Sequence, residues 1–175
     1  GEHMKLQRGF GYLNRSVSAS ITRPNDTTAY AAGDVVASST TAAVAITFDN
    51  AVGVLGGSAI LTSVMMVDSS STATKGLFEL WLFNASYTQD QDNAVFTPTD
   101  TECATLVAIV PLNTSYVGDA TAGTGGNAVY FSGAINQYFS CAAASTTLYG
   151  ALVVRNAYTP IAVEVFTIQL NLQPA

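Results

Sequence analysis

AVEVFTIQLNLQ, residues Ala162–Gln173, carries the plainest structural signal in the chain. Phe166, Ile168, Leu170 and Leu172 fall on one side of an extended backbone, with Val165, Thr167, Gln169 and Asn171 on the other. Successive side chains of a strand point to opposite faces, so this alternation predicts a half-buried β-strand. Leu77–Phe83 alternates differently: Phe78, Leu80 and Leu82 interleave with Glu79, Trp81 and Phe83. Both sides are bulky, which predicts a strand covered on both faces or seated at an interface.

Outward from these two stretches, strands are expected at Val17–Thr22, Asp34–Ser38, Ala43–Phe48, Ser58–Val67, Thr105–Leu112, Ala128–Ser132 and Thr146–Arg155. Asp49-Asn50, Gly56-Gly57, Asp68–Thr74 and Asp119–Asn127 separate them with residues that favour turns. Tyr116–Asn127, rich in Gly, Thr and Ala, reads as a long surface loop. No amphipathic helix stripe and no long internal repeat interrupts the pattern. The expectation is therefore all-β: an antiparallel β-sandwich, jelly-roll-like, of eight to nine strands. Gly1–Met4 reads as a cloning remnant, residues 5–16 as an N-terminal arm without clear period, and residues 17–175 as one sandwich domain.

Composition narrows the function. Only 10% of residues are charged while 49% are hydrophobic, and the net charge is −6. Phosphate neutralisation needs clustered Lys and Arg, so nucleic acid is not an expected partner. The longest apolar run, Ala59–Val67, is interrupted by Thr62 and Ser63 and falls short of the ~18 residues of a membrane-spanning helix. The single histidine, His3, lies in the remnant; without it no Ser-His-Asp relay exists, and the usual zinc ligand sets are not available. No enzymatic activity and no cofactor are expected.

Several local candidates read as structural. Asp90-Gln91-Asp92-Asn93 offers alternating oxygens like the start of a calcium loop, but lacks the Gly and the bidentate Glu that complete one, leaving an acidic turn. Asp100 and Glu102 would share one side of an extended segment as a glycosidase pair might, yet no cleft or supporting residues accompany them. Cys103 and Cys141 read as two reduced, packed thiols in preference to a disulfide. Trp81, Phe83, Tyr87 and Phe96, then Tyr130, Phe131, Tyr138 and Phe139, form two aromatic groups. Core and subunit contact is their expected role, with sugar stacking as the competing one.

Two longer stretches are more specific. Ile21–Val36, ITRPNDTTAYAAGDVV, reads as a strand end, a turn and a second strand: Pro24 keeps Arg23 extended, Asp26 caps the turn, and Gly33 permits the reversal. The second is the block LFELWLF (Leu77–Phe83) continuing to DNAVF (Asp92–Phe96), with LYGAL (Leu148–Leu152) and AYTP (Ala157–Pro160) following late in the chain. From about Val17 to Leu172, this order of motifs resembles a family of small virion structural proteins of tailed bacteriophages and prophages. The resemblance implies a non-enzymatic capsid decoration or cement protein, assembled into the virion in the host cytoplasm. Its expected partners are the major capsid protein and further copies of itself, in a homotrimer. It brings no defined site residues. Expected assembly contacts are Lys5, Arg8, Phe10, Tyr12 and Arg15 of the N-terminal segment, with Trp81 and Phe83 of the aromatic strand. The alternative is a host glycan-binding module associated with the tail or fibre.

Overall fold

A computed structural model describes residues 14–70, 74–113, 115–117 and 127–175. Its strands in chain order are β1 (Arg15–Thr22), β2 (Val35–Val36), β3 (Ile46–Phe48), β4 (Ser58–Asp68), β5 (Phe78–Phe83) and β6 (Leu106–Leu112). They continue as β7 (Ser115–Val117), β8 (Ala128–Phe131), β9 (Gln137–Ser140), β10 (Leu148–Val154) and β11 (Val165–Pro174), with one helical turn, α1 (Asp100–Cys103). β11 contains most of the opening stretch. Phe166, Ile168, Leu170 and Leu172 are all buried, and each such side chain contributes about 1.5–3 kcal/mol of hydrophobic stabilisation.

Two antiparallel sheets face each other. One runs β1-β11-β4-β8-β7, with β9 continuing the line of β8 along β4. The other runs β2-β10-β5-β6, with β3 in line with β2 along β10. Counting in-line segments together leaves nine strand positions, within the expected number. The pairing is nested: β1 with β11, β2 and β3 with β10, β4 with β8 and β9, β5 with β6. That is the jelly-roll order, a long antiparallel ribbon wrapped over itself. The inner faces meet as Ile168, Leu170, Val64, Met66 and Tyr130 against Phe78, Leu80, Leu152, Val154 and Phe48. Gly150 on β10 is required there, because a Cβ would lie 2.9 Å from the Phe48 ring.

The differences from expectation lie at the margins. β1 begins at Arg15, so the last two residues assigned to the arm belong to the sandwich. β2 and β3 are shorter than Asp34–Ser38 and Ala43–Phe48 because side chains take over the flanking backbone groups. Asp92 Oδ1 accepts from Ala37 N, and Gln91 Oε1 from Ala43 N. β7 takes the first residues of the expected Tyr116–Asn127 loop, whose residues 118–126 lie outside those described. β9 was not anticipated.

Candidate functional site

Strand β5 is covered on both faces, by its own chain. Residues 84–105, between β5 and β6, fold back over the outer side of the second sheet. Phe83 stacks on Tyr87 (4.8 Å between centroids), Trp81 meets Phe96 edge-on (5.1 Å), and Tyr87 Oη donates to the Gly150 carbonyl at 2.6 Å. Val35, Phe83, Ala151 and Val153 are fully buried beneath this layer. Phe83 therefore offers no surface to a partner, a correction to its expected role as an assembly contact. Trp81 keeps part of its surface, with Nε1 donating to Glu79 at 3.1 Å.

Thr99-Asp100-Thr101-Glu102 starts α1 within this layer. Thr99 Oγ1 and the Glu102 carboxylate cap each other's backbone, and Glu102 also accepts from Thr88 N at 2.7 Å, tying both ends of the loop together. These hydrogen bonds hold the Glu102 carboxyl below its ordinary pKa. Asp100 and Glu102 do not share a side, since positions two apart on a helix face apart. Their segment is helical, which corrects the extended carboxylate pair.

Among the described residues, the outward side chains of the first sheet are exposed or partly exposed. Outward positions are Ser16, Ser18, Ser20 and Thr22 on β1 and Thr167, Gln169 and Asn171 on β11, joined by cross-strand bonds such as Ser16 Oγ to Asn171 Oδ1 at 2.8 Å. Ile60, Met65 and Val67 of β4 continue the surface beside Val129, Phe131 and Tyr138 of β8 and β9. Phe131 is 46% exposed and Tyr138 58%. Among the described residues no Asp, Glu, Lys or Arg occupies an outward position on β1, β4, β8, β9 or β11. Arg15 has the inward parity of its partner Leu172 and bonds the Asn50 carbonyl at 2.8 Å around the rim. It borders a cavity of about 280 Å³ with Val52, Val54, Leu172 and Pro174. Lys5, Arg8, Phe10 and Tyr12 lie outside the described residues.

The motif residues converge in the interior. Arg23, at the end of β1, is buried; its Nη2 meets Asp92 Oδ2 at 2.9 Å, Nη1 donates to Ile161 O at 3.0 Å, and Nε donates to Tyr30 Oη. Tyr30 Oη donates to Asp92 Oδ1 at 2.6 Å, which also accepts from Ala37 N. Tyr30 stacks on Tyr158 at 5.4 Å, and Tyr158 abuts Phe78. Burial raises the pKa of both phenols. Asp92 is thus spent inside the fold, while Asp90 accepts from Thr97 N and Oγ1. The acidic turn is a structural hub, and among the described residues no group of three or more His, Cys, Asp or Glu is placed to hold a metal. Beside the hub lie Asp68, Lys75 and Glu164; the sequence reading places Asp68 in a turn and Lys75 at the head of the second motif, with no chemical role for any of the three. Cys103 is exposed and Cys141 buried, both as free thiols. No family model, curated protein or solved structure matches the chain.

Proposed function

We propose that the chain is a non-enzymatic virion structural protein of a tailed bacteriophage: a capsid decoration or cement protein that binds the assembled head as a symmetric oligomer. The observation that carries this reading is the uncharged outer face of the β1-β11-β4-β8 sheet, on a molecule whose net charge is −6. Like charge disfavours association elsewhere on the surface, whereas this face meets a partner without desolvating an ion. Apolar Met65, Val67, Val129 and Phe131 beside a hydrogen-bonding Ser/Thr/Gln/Asn strip supply the mixed chemistry of a specific interface. A ligand that binds only the assembled shell shifts it away from disassembly.

The test is addition of purified protein to mature capsids that lack it. Saturable binding and a higher disassembly temperature are the expected result. A map of the virion locating the protein only at the tail tip contradicts the head assignment. The exposed Phe131 and Tyr138 favour a second reading, a tail- or fibre-associated module that stacks on host glycans. A glycan array separates the two, and silence there counts against the second.

A further inference from the structure

Three side chains from separate parts of the chain meet in the interior near Tyr158. Asp68 ends β4, Lys75 lies in the segment leading to β5, and Glu164 immediately precedes β11. The Lys75 side chain is only 6% exposed, Asp68 is fully buried and Glu164 is 1% exposed. Lys75 Nζ stands 3.7 Å from Asp68 Oδ2 and donates to the Ser70 carbonyl at 2.5 Å. Asp68 Oδ1 accepts from Ser70 N at 2.8 Å, which fixes the plane of the carboxylate. Glu164 interacts with the Asp68 carboxylate, and burial together with that neighbour raises the Glu164 pKa, which keeps it protonated at neutral pH.

Gly76 brings Lys75 in. A Cβ at position 76 would stand 2.7 Å from the Tyr158 ring, so only glycine lets the chain pass there. Aromatic side chains wall the surroundings, with Phe78 against Tyr130, Tyr158 and Phe166. As a plain ion pair the arrangement is poorly satisfied. Among the described residues no conventional partner reaches Asp68 Oδ2, Glu164 Oε1 or Tyr158 Oη, and each buried orphan is costly.

We propose that Lys75 and Asp68 condense to an intramolecular isopeptide bond, with Glu164 as the acid–base group. Attack needs a neutral amine and a neutral acid, so the reaction begins with transfer of one proton from the Lys75 ammonium to the Asp68 carboxylate beside it. The Nζ lone pair attacks Cγ, and Glu164 protonates the departing oxygen while the proton lost from Nζ restores its own. The Nζ–Cγ bond forms, a Cγ–O bond breaks, and one water leaves; Glu164 ends as it began and no other reactant is needed. The 3.7 Å between Nζ and Asp68 Oδ2 places the amine beside the carboxyl group whose Cγ it attacks. The product relieves the orphans: the new N–H takes over the bond to Ser70 O, and the amide carbonyl accepts from Glu164. No charge then remains buried at the link. The bond ties the end of β4 in one sheet to the lead-in of β5 in the other.

Mass spectrometry of the purified full chain tests this. The expected result is a protein lighter than its sequence by one water, with fragmentation assigning the loss to a Lys75–Asp68 cross-link. Lys75→Arg keeps the charge but cannot close the bond, and is expected at full mass. Glu164→Gln, checked for folding by circular dichroism, is expected to remain uncross-linked. Wild type at full mass with Lys75 free overturns the proposal. A water loss that persists in Lys75→Arg also overturns it, since the loss would then be a succinimide at Asp68-Ser69. Cross-linking that proceeds at an unchanged rate in folded Glu164→Gln removes Glu164 from the reaction.

Discussion

Replacing Asp92 by Ala leaves the buried Arg23 guanidinium with only the more distant Asp26 carboxylate, at 3.6 Å, and strips acceptors from Tyr30 and Ala37 N. Breaking a buried pair on one side costs about 3–5 kcal/mol, so Asp92→Ala is expected to lower the urea midpoint far more than Asp90→Ala does. Glu164 gives a second prediction. Burial first, then the hydrogen bond and charge of Asp68, raise its pKa to about 9. The unfolded chain loses that proton near about pH 4.3, so between these values the native state binds the extra proton. Its contribution is therefore fully present below the lower value and lost as pH rises through the upper, by at most ~1.4 kcal/mol per pH unit. Urea titrations from pH 5 to 9 are expected to show declining stability, with a flatter profile in Glu164→Gln. Equal slopes would contradict the assignment. Desolvation is the larger cause, so the sign holds whether Asp68 is free or joined to Lys75. These roles were only partly legible beforehand. Arg23, Tyr30 and Asp92 all stand in the quoted motifs, but they read there as local turn residues. Their meeting depends on which strands pair, and sequence spacing does not contain that. The one usable signal was scarcity: in a chain with so few charges, an Arg among strand residues is a candidate for a buried partner.

Among the elements, β11 was readable because one face is fully buried and the other polar, which writes burial directly into alternation. Phe166→Ala is expected to cost about 3–5 kcal/mol, measured by thermal or chemical unfolding, whereas Thr167→Ala on the outer face should change stability by under about 0.5 kcal/mol. β9 escaped notice because Gln137 and Tyr138 both face solvent and four residues cannot display a period. α1 is the opposite case. Thr99-x-x-Glu102 is a recognisable capping signature, obscured when Asp100 and Glu102 were weighed as a chemical pair. Thr99→Ala should cost about 1 kcal/mol, and more of it should appear as faster amide exchange in residues 84–105 than as global unfolding.

For the whole molecule, the uncharged sheet face is the feature on which the proposed assembly turns. Val67→Lys places a cation at an outward position on β4, opposite Thr167 and Val129. The monomer is expected to fold normally, while self-association and capsid binding fall at least tenfold, read by light scattering and co-sedimentation. Undiminished binding would move the interface elsewhere. The sandwich was legible in the alternation, as were the two bulky faces of β5, whereas the nested winding depends on which strands pair. What the alternation left open was the identity of the cover, since a strand buried by its own loop and one buried by a neighbour have the same pattern.

That cover has a further consequence. Residues 84–105 lie between β5 and β6 and carry the cover of the second sheet, while Asp92 within them anchors the buried Arg23. Substitutions in this segment that spare Asp92 can therefore rewrite the covered side of the molecule while the strands of the first sheet keep their register. A lineage carrying this fold has two faces that selection can alter separately.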